Sequence, residues 1–181
     1  VPVLVELDLA KGLPAYTTVG LPDGAVKESR ERVVAAVRNS GFDWPRRRVT
    51  VNLAPARARK QGTQYDLPIA LAVLAASGQF VSDERTSGWC VVGELSLDGR
   101  VRPVTGALAM ACRAKAEGYT AIVLPEENAA EAAASGLRVL PVGDLREAVE
   151  LASGSPARER AAAPPALPVP GDAPGEGAPS L

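Results

Sequence analysis

The chain has 181 residues, 46% of them apolar, which is enough for one hydrophobic core and too short for two generous domains. Its 20 basic and 21 acidic residues nearly cancel, which excludes a global field that would steer the molecule to nucleic acid or an anionic membrane; such binding has to be local. Histidine is absent, and Cys90 and Cys112 stand outside any CxxC spacing, which removes the commonest zinc geometries and every histidine-based general base.

The two thiols are expected in a buried, reduced, cytoplasmic core. No stretch approaches the ~20 apolar residues of a spanning helix, and the first residues alternate instead of forming a signal-peptide core, so a soluble protein is expected. Val1 opens directly on a strand-like run without methionine, which reads as a fragment.

Val3 to Leu9 alternates as a half-buried strand, Gly12-Leu13-Pro14 turns, and Tyr16 to Val19 is β-rich, so the spacing predicts a hairpin. Asp23 can cap a helix running to about Asn39 with Gly41 as its stop. Val26, Val33, Val34 and Val37 form its buried stripe; Lys27, Glu28, Arg30, Glu31, Arg32 and Arg38 form a solvated face, with Glu28 and Arg32 at pairing distance. Arg48 to Leu53 alternates again, with Val49, Val51 and Leu53 on the buried face, and Pro55 ends the strand.

After a loop from Ala56 to Tyr65, Asp66 is expected as the N-cap of a helix from Leu67 to Ser77, apolar all round and therefore buried. Trp89 to Leu95 reads as a strand that returns through Asp98-Gly99 into Val101 to Val104, a second hairpin. Then come a helix from Thr105 to Glu117, a strand from Ala121 to Leu124, a helix from Asn128 to Ala134, a strand from Leu137 to Val142 and a helix from Asp144 to Ala152. Residues 1–154 are expected as one domain. Residues 155–181, of which 17 are Pro, Gly or Ala, read as an extended linker.

Several segments together carry a family pattern: Gly12-Leu13-Pro14-Ala15-Tyr16 through Asp23, Val26 to Arg32, Val49 to Pro55, Asp66 to Leu71, Gly93 to Arg100, and Leu124 to Glu131. They closely resemble the start of the ComM/YifB proteins, magnesium-chelatase-like AAA+ ATPases whose first domain is similar to the Lon proteolytic domain. The resemblance implies a mixed α/β fold of the ribosomal-protein-S5-domain-2-like type. It also implies a Pro-rich linker to an ATPase module, and strand-forming sequence ahead of Val1 whose loss would expose a sheet edge. No Gly-Lys dipeptide occurs in these 181 residues, so the P-loop cannot be written here, and ATP and magnesium are expected only in the ATPase module.

A Lon-type protease needs a serine nucleophile and a lysine base. On this alignment the serine position holds Gln64 and the lysine position Leu108, so no catalytic residue is expected; Lys115 lies two turns on, roughly 10 Å away. Thr63 has no evident base. Glu126-Glu127 and Asp83-Glu84 read as solvated loop charges, and no metal site is expected.

Arg46, Arg47, Arg48, Arg57, Arg59 and Lys60 fall within 15 residues that contain no acid. Such a cluster suits a nucleic-acid backbone, with Trp44 and Tyr65 as the nearby aromatic rings. It equally suits ion pairs with distant acids or an interdomain surface.

The resemblance implies a non-catalytic domain of a cytoplasmic, ring-forming (hexameric) motor that handles DNA in natural transformation and branch migration, with DNA and its own ATPase module as partners. The alternatives are an ATP-dependent Lon-like peptidase and a purely structural oligomerisation or docking domain.

Overall fold

A computed structural model describes residues 2–155. The expected linker therefore lies, apart from Ser155, outside the described residues. The fold is mixed α/β: β1 (Leu4–Ala10), β2 (Ala15–Val19), α1 (Gly24–Asn39), β3 (Arg48–Ala54), α2 (Asp66–Ala76), a 3-10 turn (Glu84–Gly88), β4 (Trp89–Val91), β5 (Glu94–Leu95), β6 (Val101–Arg102), α3 (Ala107–Ala116), β7 (Ala121–Pro125), a 3-10 turn (Glu126–Asn128), α4 (Ala129–Ala133), β8 (Arg138–Val142) and α5 (Leu145–Ala152).

Helix α1 forms where its caps place it. Asp23, in extended conformation, accepts from the Val26 N–H at 2.8 Å, and Gly41 turns left-handed at φ 85. Its buried stripe is Val26, Ser29, Val33, Ala36 and Val37, while Val34 is half-buried. Helix α2 is apolar nearly all round and mostly buried, as its composition demands.

The expected first hairpin does not form. β3 lies between the two candidate strands: β1 pairs with it antiparallel, from Leu4 opposite Ala54 to Ala10 opposite Arg48, and β2 pairs with it parallel, from Ala15 opposite Arg48 to Val19 opposite Asn52. A parallel pair needs a crossover, and α1 supplies it, so β2–α1–β3 is a βαβ unit. The reason is burial. Val49, Val51 and Leu53 are wholly inaccessible, and only the central position of the sheet covers them on both flanks. Gly20 permits the close crossing beside β3: at φ 102, a Cβ there would meet the Leu53 carbonyl oxygen at 2.1 Å.

The second expected hairpin forms only at its tip. β5 pairs with β6, but Trp89–Val91 leaves that ladder and joins a separate parallel sheet, in the order β4-β7-β8. Gly93 is the break, because its N–H donates to the Gln64 carbonyl and its own carbonyl accepts from Leu67, both at 3.0 Å. Strand β7 is buried throughout. Ala121 and Val123 enter the main core with α1, α2 and α5, while Ile122 and Leu124 enter a second cluster with α3 and α4. A strand covered on both faces is the parallel-sheet pattern.

Asp66 is not an N-cap. Tyr65 holds that position without a side-chain bond, and Asp66 is the first helical residue, fully buried against Arg32. Arg32 accordingly leaves the solvated face of α1; its side chain is only 19% exposed. Burial of a carboxylate requires a partner, and Arg32 is the cation within reach.

Candidate functional site

A cleft of about 670 Å³ opens between the start of β1, the N-terminal turn of α2, β4 and α3; Val5, Tyr65, Leu71, Trp89, Met110 and Tyr119 line it. Gln64 lines the same cleft, as do Ala109 and Met110, the residues that follow Leu108. Gln64, expected at the serine position, thus lines the cleft, whereas Leu108, expected at the lysine position, is not among its lining residues.

Neither holds a group that moves a proton. The Gln64 amide folds back and donates to the Gln61 carbonyl at 2.8 Å, over Gly62, where a Cβ would meet its Oε1 at 2.3 Å. Leu108 contributes an aliphatic side chain, and its backbone N–H donates to Glu131 at 3.2 Å. Thr63 accepts through its carbonyl from the Asp66 N–H at 3.3 Å. Burial pushes the Tyr65 phenol up, against a side-chain hydrogen bond with Gln64, so this hydroxyl stays protonated at neutral pH.

Both cysteines lie differently from expectation. Cys112 is exposed on α3 and Cys90 is half-buried in the cleft wall, where burial pushes its thiol up. Cys112 falls on the outer face of an amphipathic helix whose buried residues are Ala107, Ala111 and Ala114. Asp83 caps the first 3-10 turn and pairs with Arg85 at 2.8 Å, while Glu126 and Glu127 are exposed.

The arginine cluster divides. Arg46, Arg47 and Arg48 are exposed at the beginning of β3; Arg57 and Arg59 are exposed beyond its end. A seven-residue strand separates the groups by roughly 20 Å. Arg47 is partly engaged, donating to the Leu9 carbonyl at 3.0 Å. Between the two ends, the open face of the sheet carries Glu6 beside Asn52 and Asp8 beside Thr50.

Lys60 departs from the cluster altogether. It is 1% exposed, its ammonium donates to the Pro55 carbonyl, and its backbone is clamped by Leu21 and Asp23 at 3.1 and 3.0 Å. Lys60 closes the loop instead of presenting charge to solvent.

At the beginning of β3 the structure adds residues that the sequence reading assigned to a plain solvated face. Arg38 lines two small adjoining hollows with Trp44; Arg46 borders one of them and Arg30 the other. Trp44 stacks on Tyr16 with centroids 5.9 Å apart, and the Arg30 guanidinium lies over the Tyr16 ring at 6.0 Å. The signal for this grouping was helical spacing, since Arg30, Val34 and Arg38 are four apart on α1.

The family profile of subunit ChlI of Mg-chelatase matches residues 5–128. The chain belongs to the magnesium-chelatase-like ComM/YifB family. YifB of Escherichia coli is 41% identical over 159 residues, 88% of this chain and 31% of that protein. Competence protein ComM of Haemophilus influenzae is 41% identical over 130 residues, 72% of this chain and 25% of its own length. More distantly, Lon protease of Chloroflexus aurantiacus is 25% identical over 169 residues, 86% of this chain and 20% of that protein. The chain thus spans under a third of these ComM/YifB relatives. Among the described residues no helix is long and apolar enough to cross a membrane.

Proposed function

We propose that this is a non-catalytic domain of a ComM/YifB-type AAA+ protein, which assists a DNA-handling motor without cleaving peptides. The observation that supports the reading is that the cleft is lined by an amide, Gln64, where the Lon likeness calls for a serine, while Leu108, aligned with the lysine, is aliphatic and outside that lining. The element order and the Lon likeness support a ribosomal-protein-S5-domain-2-like fold.

The DNA contact falls to the two exposed arginine groups, Arg46 with Arg48 and Arg57 with Arg59. The two groups stand roughly 20 Å apart at the ends of β3, so they would meet a nucleic-acid backbone at two separate points. Arg30 and Arg38 reinforce the first group. The protein acts in the cytoplasm as part of a ring, with ATP and magnesium bound by the motor.

The test is a salt titration of binding to single-stranded, duplex and branched DNA. Replacing Arg46 and Arg48 by glutamate should weaken binding and reduce the slope of log affinity against log salt by about 2. Unchanged affinity and slope would remove DNA contact from this surface. Clear labelling by a serine- or threonine-directed activity probe would instead restore the peptidase reading.

A second reading, subunit docking, is favoured by the open face of the β1-β3-β2 sheet, where Leu4 and Val19 are 61% and 42% exposed. It predicts self-association that substitution of those two residues by aspartate abolishes.

A further inference from the structure

The cleft that holds Gln64 has no catalytic use in the proposed function, yet its lining is mostly apolar. Three aromatic rings line it, those of Tyr65, Trp89 and Tyr119, together with Leu71, Met110 and Pro68. Aromatic-lined grooves of this kind accept proline-rich segments. Such segments enter already extended as polyproline II, losing little conformational freedom, and stack their rings on the aromatic faces.

One segment of this chain has that chemistry. Ala161 to Gly171 contains no charged residue and includes Pro164-Pro165-Ala166-Leu167-Pro168-Val169-Pro170, in which Leu167 and Val169 are the only large apolar side chains. Charges bracket it, with Arg158, Glu159 and Arg160 before and Asp172 after. An uncharged apolar run between charged flanks matches an apolar cleft with a polar rim, here Arg113 and Glu117.

The last described residues lie beside the segment that leads into the cleft wall. Helix α5 ends against the segment that leads into the cleft wall: the Ala152 carbonyl accepts from the Asp83 N–H at 2.8 Å. Asp83 in turn caps the 3-10 turn whose Thr86 and Ser87 line the cleft, just before Trp89. The five residues of that turn span about 10 Å. From Ser155 to Pro164 there are nine residues, which can reach up to about 28 Å if extended, well beyond the ~10 Å length of that turn. Tethering over so short a spacer gives an effective concentration in the millimolar range, so even weak docking is populated.

We propose that the apolar cleft is a docking site for a proline-rich segment, and that its occupant is Pro164–Pro170 of this same chain. The cleft of a Lon-like site is thereby used to hold the interdomain segment against the domain. Trp89, which lines the cleft, reports on occupancy, and Trp44, which lines the arginine-rich hollows and not the cleft, does not.

The experiment uses the full chain and the indole N–H resonances of Trp89 and Trp44 in nitrogen-15 NMR. Changing Leu167→Asp together with Val169→Asp alters the proposed occupant and leaves every residue of the cleft lining in place. The expected result is that the Trp89 resonance moves while that of Trp44 stays. Adding a synthetic peptide of residues 163–171 to the double variant should return Trp89 saturably to its original position, and the same peptide at the same concentration should leave the parent chain unaffected. A Trp89 resonance identical in both chains overturns the proposal. A Trp89 position that changes on dilution of the parent chain also overturns it, by assigning the contact to a second copy.

Discussion

Arg32 on α1 holds Asp66 at the start of α2 through two bonds of its guanidinium, Nε to Oδ2 at 2.6 Å and Nη2 to Oδ1 at 3.1 Å. The same Nη2 also donates to the Ala25 carbonyl, and Asp66 accepts from the Leu95 N–H. One ion pair thereby joins α1, α2 and β5 beneath the turn that carries Gln64.

Breaking that pair should be expensive. Arg32→Ala leaves a buried carboxylate uncompensated and is expected to cost about 3 to 5 kcal/mol in urea denaturation at neutral pH. Burial raises the Asp66 carboxyl above its usual range, and the Arg32 bonds lower it. The variant loses the lowering influence, so its folded state takes up the proton at higher pH than the parent does. The folded form with the higher pKa gains stability as pH falls, and the deficit relative to the parent should shrink on acidification. A deficit independent of pH would show that lost packing, not charge, dominates.

Asn128 offers a neutral counterpart. Its Oδ1 accepts from the Val104 N–H at 2.9 Å and its Nδ2 donates to the Val104 carbonyl at 3.0 Å, so one buried amide satisfies both backbone groups ahead of α3. Asn128→Ala strands both and is expected to cost about 2 to 4 kcal/mol, measured as a shift in denaturation midpoint. Asn128→Asp keeps the acceptor but sets a carboxylate against a carbonyl, and it should recover stability at low pH.

Tyr16 makes the alkaline limb of stability predictable. Burial pushes its phenol up to about 12, and among the described residues the buried hydroxyl has no hydrogen-bond partner. Above its ordinary value the unfolded chain ionises while the folded one does not, so stability falls as pH rises from about 10 to 12, by at most ~1.4 kcal/mol per unit. Tyr16→Phe should flatten this part of the profile in denaturation series at successive pH values. An unchanged slope would assign the effect to another group.

Lys60 and its arginine neighbours should separate cleanly in mutagenesis. Lys60→Met removes the donor to Pro55 while retaining the stem, and a loss of about 1 to 3 kcal/mol in stability is expected, with no effect on the salt slope of DNA binding. Arg57→Ala and Arg59→Ala, both exposed, should change stability by less than about 0.5 kcal/mol and act only on the slope.

Much of the local structure was legible in the chain. Asp23 and Gly41 bounded α1 because a cap depends on residues three or four positions away, and the alternation of Val49, Val51 and Leu53 announced a strand with one buried face. Asp144 began α5 as its cap, accepting from the Glu147 N–H at 2.8 Å.

What no local pattern contained was who pairs with whom. The turn at Gly12 to Pro14 marked a reversal, but the insertion of β3 between β1 and β2 was decided by three apolar side chains more than thirty residues away that needed cover on both sides. Asp66 looked like a cap until a cation 34 positions earlier became its partner. Lys60 looked like one more surface charge until a loop closed over it, and the arginines beside it proved to be divided by the length of a strand. Periodicity and capping are set by neighbours within a turn or two, so the amino-acid sequence alone determined them. Strand order and the burial of charge are set by contacts between distant segments, and only the tertiary structure decided those.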